Sequence, residues 1–156
     1  MPAMPSPEEI IRALELQPHP LEGGFFRETF RDPFGTAIYY LLTGAGVSEM
    51  HKLPGAEVYH HYLGDPLETL LLKPDGTGEV VGVGPDVTAG HRPQLVIPGG
   101  VWQGSTRVAG PHGFALIGAT MAPGFAYADY LRGTRKELSE SWPAFAERIA
   151  QRTPNG

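Results

Sequence analysis

Short apolar runs separated by glycine and proline make up most of this chain. The sequence contains 21 Gly and 16 Pro among 156 residues. Proline cannot donate a backbone hydrogen bond and glycine readily adopts positive φ, so both residues mark turns and the ends of regular elements. Here they separate apolar runs and do not form low-complexity tracts. This pattern predicts an all-β protein with many short strands and tight turns.

Eight runs have the length and composition of strands. They are Phe25–Arg31, Thr36–Leu42, Glu57–Leu63, Leu67–Leu72, Glu79–Val83, Gln94–Ile97, Trp102–Arg107 and Phe114–Met121. The clearest turn is Lys73-Pro74-Asp75-Gly76, because Pro fixes φ early in a turn and Gly accepts positive φ later. It should join two antiparallel strands.

Helices are predicted at both ends of the chain. Ser6 is a good N-cap, Pro7 suits the first helical position and Glu9 can complete a capping box, so a helix is expected over residues 7–16. Thr134 and Pro143 begin a second helical segment, over residues 134–152. Residues 21–131 between them should form a barrel of the jelly-roll type, and residues 1–156 a single domain.

Composition argues against several classes of partner. The 17 acidic and 12 basic residues give a net charge of −5, and Lys and Arg are scattered along the chain. Nucleic acids and anionic membrane surfaces are therefore not expected partners. The chain has no Cys, which excludes disulfides and thiolate ligands. No targeting segment or membrane-spanning run is recognisable, so a cytoplasmic location is expected.

A spaced motif lies in the first half of the chain. His51, Glu57 and Gly64 follow the pattern His-x5-Glu-x6-Gly. This pattern resembles the first metal-binding motif of the cupin superfamily, Gly-x5-His-x-His-x3/4-Glu-x6-Gly. Leu53 stands where that motif has its second histidine, and Gly46 is one position away from its leading glycine.

A second motif follows in the segment Pro98-Gly99-Gly100-Val101-Trp102-Gln103. It resembles the second cupin motif, Gly-x5-Pro-x-Gly-x2-His-x3-Asn. Gln103 replaces the third histidine and Arg107 replaces the asparagine, while Arg92 occupies the place of the first glycine. The similarity therefore lies mainly in the turns, and two of the family's metal ligands are absent.

Longer runs are similar to a subfamily of small single-domain cupins of unknown function. They are Leu21–Thr29, Ile38–Leu42, Gly64–Glu68, Val101–Gln103 and Ala122–Phe125. The resemblance implies a double-stranded β-helix, which is a conical jelly-roll barrel that holds a small-molecule ligand. It also implies a homodimer and a relationship to the metal-free sugar-nucleotide 3,5-epimerases of the same fold.

A metal-free reaction is the first hypothesis. A carboxylate at Glu57 would fix the tautomer of His51 and raise its basicity, as a general base requires. Tyr39 or Tyr59 could then act as the acid. We expect acid/base isomerisation or epimerisation of a small polar metabolite, such as a sugar or a sugar nucleotide.

Three other interpretations stay open. His51, Glu57 and Gln103 could bind a divalent first-row metal ion, although an amide oxygen is a weaker ligand than the imidazole it replaces. The cavity could instead bind a ligand for sensing or storage without catalysis. In the third interpretation, His51 and Glu57 only satisfy each other inside the barrel.

Side-chain alternation along strand 57–63 predicts which residues face the interior. If Glu57 points inward, then Tyr59 and His61 do so too, whereas His60 points away unless a bulge intervenes. His61 is therefore a candidate contact for the ligand.

Further ligand contacts come from two other segments. Arg27 and Glu28 face opposite sides of their strand, so only one of them can enter the cavity; an inward Arg27 could bind a carboxylate or phosphate. Phe26 and Trp102 could stack on a ligand, although structural packing is the commoner role of such residues. The loop histidines are expected to be solvated; they are His19, His91 and His112.

Overall fold

A computed structural model describes residues 3–156 and shows two antiparallel sheets packed face to face, with short helices at both ends. The strands are β1 Gln17–Pro18, β2 Phe25–Asp32, β3 Gly35–Thr43, β4 Val47–Lys52, β5 Glu57–Gly64, β6 Leu67–Leu72, β7 Gly78–Val83, β8 Gln94–Ile97, β9 Trp102–Arg107, β10 Phe114–Met121 and β11 Leu131–Arg132. The helices are α1 Pro7–Ala13, α2 Arg135–Ser141 and α3 Ala146–Gln151. The all-β prediction is confirmed.

The strand order is that of a jelly roll. One sheet has six strands in the order β1-β2-β3-β10-β5-β8, and the other has five in the order β11-β4-β9-β6-β7. Leu72 of β6 pairs with Gly78 of β7 across the predicted turn, which is confirmed as an antiparallel connection. All eight predicted strands are present. The longest strand that was not predicted is β4, in which polar and apolar residues are mixed.

The core lies between the two sheets. Apolar residues from both inner faces form it, as alternation along each strand requires. They are Tyr40, Leu42, Tyr59, Leu67, Leu71, Val81, Val83, Leu95, Ile97, Val101, Ala115, Ile117 and Ala119.

The N-terminal helix begins as predicted. Ser6 Oγ accepts a hydrogen bond from Glu9 N and Glu9 Oε1 accepts one from Ser6 N, which completes the capping box. The helix ends at Ala13, and Glu15 has a left-handed backbone with φ of 55°. Ile10 packs on the outer side of the six-stranded sheet, in a cluster with Leu41 and Phe114.

The C-terminal helices cover the outer side of the five-stranded sheet. Leu138 of α2 and Ile149 of α3 pack against Met50 and Leu70. Pro143 begins a turn of 3₁₀ helix, and the α-helix after it starts only at Ala146. None of the helices in residues 3–156 is long and apolar enough to cross a membrane.

Arg152 attaches the C-terminal segment to this sheet. Its side chain is fully buried. The guanidinium donates to the carbonyl oxygens of Gly104 and Glu68, each at 3.0 Å, and to Glu68 Oε1, also at 3.0 Å. In addition, Met50 N donates to the Arg152 carbonyl oxygen at 3.0 Å. The segment after α3 is therefore bonded to the strand that carries His51.

Asp65 stabilises the opposite end of the barrel from Glu57, since Glu57 begins strand β5 and Asp65 follows its last residue. The Asp65 carboxylate is 1% exposed. It accepts hydrogen bonds from Arg107 Nη1 at 2.7 Å and from the backbone N–H groups of His112 and Gly113. A buried carboxylate with this many donors is fully satisfied, which is the condition under which such groups are stable.

Candidate functional site

His51 lies at the centre of the candidate site. It belongs to β4, points into the barrel and is 1% exposed. Its Nδ1 is 2.7 Å from the carbonyl oxygen of Glu49. The ring of Tyr130 stacks on the imidazole, with centroids 4.9 Å apart and an angle of 13° between the planes. These contacts fix the orientation of the ring.

Glu22 is the acidic group in contact with His51. Its Oε2 is 3.1 Å from His51 Nε2. The loop before β2 positions it, since Glu49 N donates to the Glu22 carbonyl oxygen at 2.8 Å. Gly23 permits this approach, because its φ is 87° and a Cβ there would lie 2.5 Å from the Val47 carbonyl oxygen.

His19 lies on the other side of Glu22. Its Nε2 is 3.4 Å from Glu22 Oε1. Its Nδ1 accepts hydrogen bonds from the backbone N–H groups of Leu21 at 3.2 Å and Glu22 at 3.1 Å. The side chain is 4% exposed and packs against the ring of Phe26. The prediction that His19 is solvated is therefore wrong.

Glu57 brings a second buried carboxyl group to the site. It is the first residue of β5, points inward and is 8% exposed. Within the described residues, Glu57 Oε1 is buried and has no hydrogen-bond partner. The Gln103 amide is close enough to the same carboxyl group to oppose the rise in the pKa of Glu57. Burial of an unpaired carboxylate oxygen is costly, and such an oxygen is available to a ligand.

Burial shifts the pKa of each of these groups towards its neutral form. Desolvation, and then the proximity of Glu22, raises the pKa of Glu57 to about 7. Desolvation raises the pKa of Glu22 to about 8. Desolvation also lowers the pKa of His19 to about 4 and lowers the pKa of His51. Near neutral pH, both imidazoles are therefore uncharged. Each of the two carboxyl groups can gain or lose a proton close to that pH.

These residues line one cavity, which opens between β2, β3 and the segment after β10. It encloses about 440 Å³ of space between atoms, including the part at its mouth that is open to solvent. Its wall contains His19, Glu22, Phe26, Glu28, Thr36, Ile38, His51, Leu53, Glu57, Ala119, Met121, Phe125 and Tyr127. Within the described part of the chain, this wall has no Lys or Arg.

Four of the predicted site residues line this cavity. His51 and Glu57 lie together in its wall, and Phe26 and Glu28 line it too. Glu28 also accepts two hydrogen bonds from the guanidinium of Arg31, at 2.7 and 2.9 Å. His51 and Glu57 do not simply satisfy each other, since His51 contacts Glu22 and one oxygen of Glu57 is unpaired.

The predicted acids are placed differently. Tyr39 lies on the outer side of the sheet, where it packs in the cluster under α1 and contacts the ring of Tyr62. It cannot reach the cavity, so this prediction is wrong. Tyr59 does point inward, but its hydroxyl donates to Gln103 Oε1 at 2.9 Å. The proton of this hydroxyl lies in the hydrogen bond to Gln103, and burial raises the pKa of the phenol. Both features make Tyr59 a poor acid towards a ligand.

Two predicted ligand contacts lie outside the barrel. Arg27 points away from the cavity, donates to the Leu14 carbonyl oxygen and lies 3.4 Å from Glu15. Trp102 packs against the cluster beneath the C-terminal helices and under the ammonium group of Lys52. Neither side chain lines the cavity, so the prediction that Arg27 and Trp102 contact the ligand is wrong.

The histidines of β5 also lie away from the cavity. His60 points outward and bonds to Thr120 Oγ1 at 2.9 Å. His61 pairs with Ile117 on the inner face, yet its Nε2 donates to the Asp65 carbonyl oxygen at 3.1 Å. That bond places His61 at the far end of the barrel. The strand register shifts only after His61, so Glu57 and Tyr59 keep the predicted alternation.

The side chains predicted to bind a metal do not fit that role. Gln103 Oε1 already accepts the Tyr59 hydroxyl, and His51 Nε2 is occupied by Glu22. Leu53, where the motif has a histidine, contributes only an alkyl group to the cavity. Among residues 3–156, no group of three or more His, Asp or Glu side chains has an arrangement that could hold a metal ion.

Sequence reasoning missed Glu22 and His19. Both precede β2 in a loop with no periodic pattern, and they reach His51 only through pairing with the unpredicted strand β4. The signal that could have found them is the pair Gly23-Gly24, in which both residues have positive φ. Adjacent glycines beside an acidic residue indicate a close backbone approach.

Comparison with known proteins identifies the family. Residues 8–131 match the family described as Cupin superfamily (DUF985). The chain therefore belongs to this family of cupins. An uncharacterized protein of Saccharomyces cerevisiae, YML079W, is 31% identical over 157 residues, which cover 83% of this chain and 77% of the yeast protein.

Solved structures agree with the fold. A hypothetical protein from Leishmania major superposes with a TM-score of 0.89 at 30% identity, over 96% of this chain and 99% of that one. Oxalate decarboxylase OxdC of Bacillus subtilis superposes with a TM-score of 0.61 at 12% identity, over 89% of this chain and 38% of that one. OxdC has Mn(II) centres. At this low identity the similarity supports the cupin jelly roll alone.

Proposed function

We propose that this protein is an acid/base enzyme that isomerises or epimerises a small uncharged metabolite, such as a sugar, bound in the barrel cavity. The observation that carries the proposal is the placement of two buried carboxyl groups, Glu22 and Glu57, beside a buried imidazole in one cavity wall. Burial raises the pKa values of these carboxyl groups to about 8 and about 7. Groups that titrate near neutral pH are well suited to proton transfer.

Glu57 is the better candidate for the general base. A base is most effective when its pKa lies near the working pH and its lone pair can reach the substrate. The pKa of Glu57 is raised to about 7, and its Oε1 makes no hydrogen bond to any described residue. His51, the base expected from the sequence, has its Nε2 occupied by Glu22.

The reaction that fits this arrangement starts at a carbon next to a carbonyl group. The Glu57 carboxylate removes the proton from that carbon, and the electron pair of the C–H bond moves towards the carbonyl oxygen to give an enolate, which becomes an enol when an acid protonates that oxygen. Return of the proton to the opposite face of the same carbon, after the bound intermediate turns that face towards Glu57, gives the epimer. Return to the neighbouring carbon, with transfer of the hydroxyl proton from the first carbon's oxygen to the former carbonyl oxygen, gives the aldose or ketose isomer. Neither outcome changes the number of protons or electrons.

The cavity wall favours an uncharged ligand. In the described part of the chain it offers carboxyl and imidazole groups but no cation, and Arg27 points away from it. The diphosphate of a sugar nucleotide would therefore lack a counter-charge. Phe26, Phe125 and Tyr127 supply aromatic faces on which the C–H groups of a sugar ring can pack.

Deuterium exchange tests this function across a panel of candidate substrates. The wild-type protein is incubated in D₂O with neutral aldoses and ketoses, and proton NMR records the loss of signal at the carbon next to the carbonyl. We expect exchange with at least one compound. Glu57→Gln keeps the shape of the side chain but cannot accept a proton, so it should reduce the exchange rate by about 100-fold or more.

Glu79→Gln is the matched control. Glu79 lies on β7 with a side chain that is 40% exposed, and its partner is Lys73 at 3.7 Å. This variant should exchange at the wild-type rate. Binding of a sugar without exchange would instead support a sensing or storage protein. Full exchange by Glu57→Gln would remove Glu57 from the mechanism.

A further inference from the structure

We propose that Glu22 is a neutral carboxylic acid whose proton lies on Oε2, facing His51 Nε2, and that this proton is donated to the substrate oxygen. The second half of the proposal rests on the proposed function. The first half concerns the resting protein alone. It rests on the hydrogen bonds that the backbone makes to two histidine rings and on the burial of Glu22 and His51.

The backbone fixes the tautomer of His51. Its Nδ1 is 2.7 Å from the Glu49 carbonyl oxygen. A carbonyl oxygen only accepts hydrogen bonds, so Nδ1 must carry a hydrogen. In a neutral ring, Nε2 then has a lone pair and needs a donor. Glu22 Oε2, at 3.1 Å, occupies the position of that donor.

The backbone fixes the tautomer of His19 in the opposite sense. Its Nδ1 accepts hydrogen bonds from Leu21 N at 3.2 Å and from Glu22 N at 3.1 Å. A nitrogen that accepts has no hydrogen, so the hydrogen of His19 is on Nε2 and the ring is uncharged. Nε2 therefore donates towards Glu22 Oε1, which is 3.4 Å away.

Glu22 thus lies between one donor and one acceptor. Its Oε1 faces the N–H of His19, and its Oε2 faces the lone pair of His51. A carboxylic acid has the same pattern, with one accepting and one donating oxygen. Ser48 Oγ, which is 3.3 Å from Oε2, can donate to the remaining lone pair of that oxygen.

The alternative is an ion pair between a Glu22 carboxylate and an imidazolium at His51. Both side chains are buried, and taking two charges out of water carries a desolvation cost that one contact at 3.1 Å does not repay. Burial favours the uncharged forms, in agreement with the raised pKa of Glu22 and the lowered pKa of His51. The neutral pair is therefore the form that burial favours, and its pattern of donors and acceptors agrees with the described contacts.

Glu22 also lines the cavity, so its proton is next to the ligand. While Glu57 removes a proton from the substrate carbon, negative charge develops on the substrate oxygen. Glu22 gives its proton to that oxygen and becomes a carboxylate, which the N–H of His19 stabilises. The proton returns to Glu22 when Glu57 returns its own proton to carbon. The cycle is balanced and needs no other reactant.

Nitrogen NMR of histidine-labelled wild-type protein tests the resting state at neutral pH and without ligand. His19→Asn and His51→Asn serve to assign the signals. We expect a neutral ring with hydrogen on Nδ1 for His51 and a neutral ring with hydrogen on Nε2 for His19. An imidazolium signal from His51 would overturn the proposal.

Glu22→Gln tests donation of the proton. Its amide oxygen can accept from His19 and its amide nitrogen can donate to His51, so both tautomers should persist. The amide cannot release a proton, and we expect the deuterium exchange rate to fall by about 100-fold or more. Glu79→Gln again serves as the control. Wild-type exchange by Glu22→Gln, with both tautomers retained, would make Glu22 only a positioning residue.

The two proposals fail separately. If the wild-type protein exchanges deuterium and Glu22→Gln does so equally fast, donation by Glu22 is wrong while the proposed function stands. If the wild type exchanges none of the sugars, both the proposed function and the donation step are overturned. The nitrogen signal of His51 then decides only whether Glu22 holds the proton at rest.

Discussion

Glu22 Oε2 lies 3.1 Å from His51 Nε2, although one residue belongs to a loop and the other to strand β4. The contact depends on the backbone of the loop, since Glu49 N donates to the Glu22 carbonyl oxygen at 2.8 Å. Loop and strand therefore form one unit, and the site depends on how closely they approach each other.

Substitution of Gly23 tests this dependence. Gly23→Ala places a Cβ 2.5 Å from the Val47 carbonyl oxygen, on a backbone with φ of 87°. Gly76→Ala is the matched control, because Gly76 has φ of 88° and open space around it. We expect Gly76→Ala to cost about 1 kcal/mol in free energy of unfolding, from the backbone alone. Gly23→Ala should cost clearly more and disturb the His51 nitrogen signal. Equal costs in urea unfolding would contradict the close approach.

Stability should fall as the pH rises above neutrality. Desolvation raises the pKa of Glu22 to about 8 and that of Glu57 to about 7, above the ordinary value of 4.5. The folded protein therefore holds more protons than the unfolded chain between these values, and it loses that stability as the pH rises through 7 and 8. The histidines, whose pKa values are lowered below 6.5, oppose this loss only in part, because the unfolded imidazoles still release protons between pH 6.5 and about 7.5.

Between pH 6.5 and 8, we expect a net loss of about 1.5 kcal/mol in the free energy of unfolding, mostly from Glu22. Glu22→Gln cannot titrate, so its loss over the same range should be less than half as large. Urea unfolding at both pH values measures the difference. A loss equal to that of the wild type would show that Glu22 is already ionised at pH 6.5.

Arg152 should contribute far more stability than its neighbour Arg148. Both guanidinium groups lie 3.0 Å from Glu68 Oε1, but the Arg152 side chain is 0% exposed and that of Arg148 is 47% exposed. Arg152→Met leaves the buried Gly104 carbonyl oxygen without its side-chain donor, and we expect a cost of about 3 kcal/mol. Arg148→Met should cost about 1 kcal/mol or less. Chemical denaturation compares them, and similar costs would refute the role of burial.

Tyr130→Phe should leave the protein as stable as the wild type or more so. Within the described residues, the Tyr130 hydroxyl is buried and has no partner, so its removal relieves a desolvation cost. The ring stacked on His51 remains. Tyr130→Ala removes that ring and should cost about 3 kcal/mol. A loss of more than about 1 kcal/mol in Tyr130→Phe would indicate that the hydroxyl has a bonding partner.

The strands were predictable because their apolar runs are bounded by turn residues. Phe114–Met121 has the predicted bounds, and its residues are almost all buried. Strand β4 was not predicted, because its apolar pattern is interrupted by Ser48, His51 and Lys52. Polar residues occur in β4 because it carries His51 into the cavity wall, so the apolar pattern fails at the candidate site.

The site was only partly predictable for the same physical reason. His51 and Glu57 could be paired from their spacing in the sequence, and the structure places both in the cavity wall. Glu22 could not be paired with His51 in this way, because a long-range backbone contact brings them together. Tyr39 and Arg27 were misplaced, since alternation separates inward from outward residues but does not say which set faces in.

The bond from Met50 N to the Arg152 carbonyl oxygen has a consequence for the order in which the molecule assembles. During synthesis, β4 emerges from the ribosome about a hundred residues before its partner at position 152, at a rate of roughly 5–20 residues per second. For several seconds the strand that carries His51 lacks this contact. The cavity wall around His51 therefore gains this backbone bond only after the helical segment has been translated.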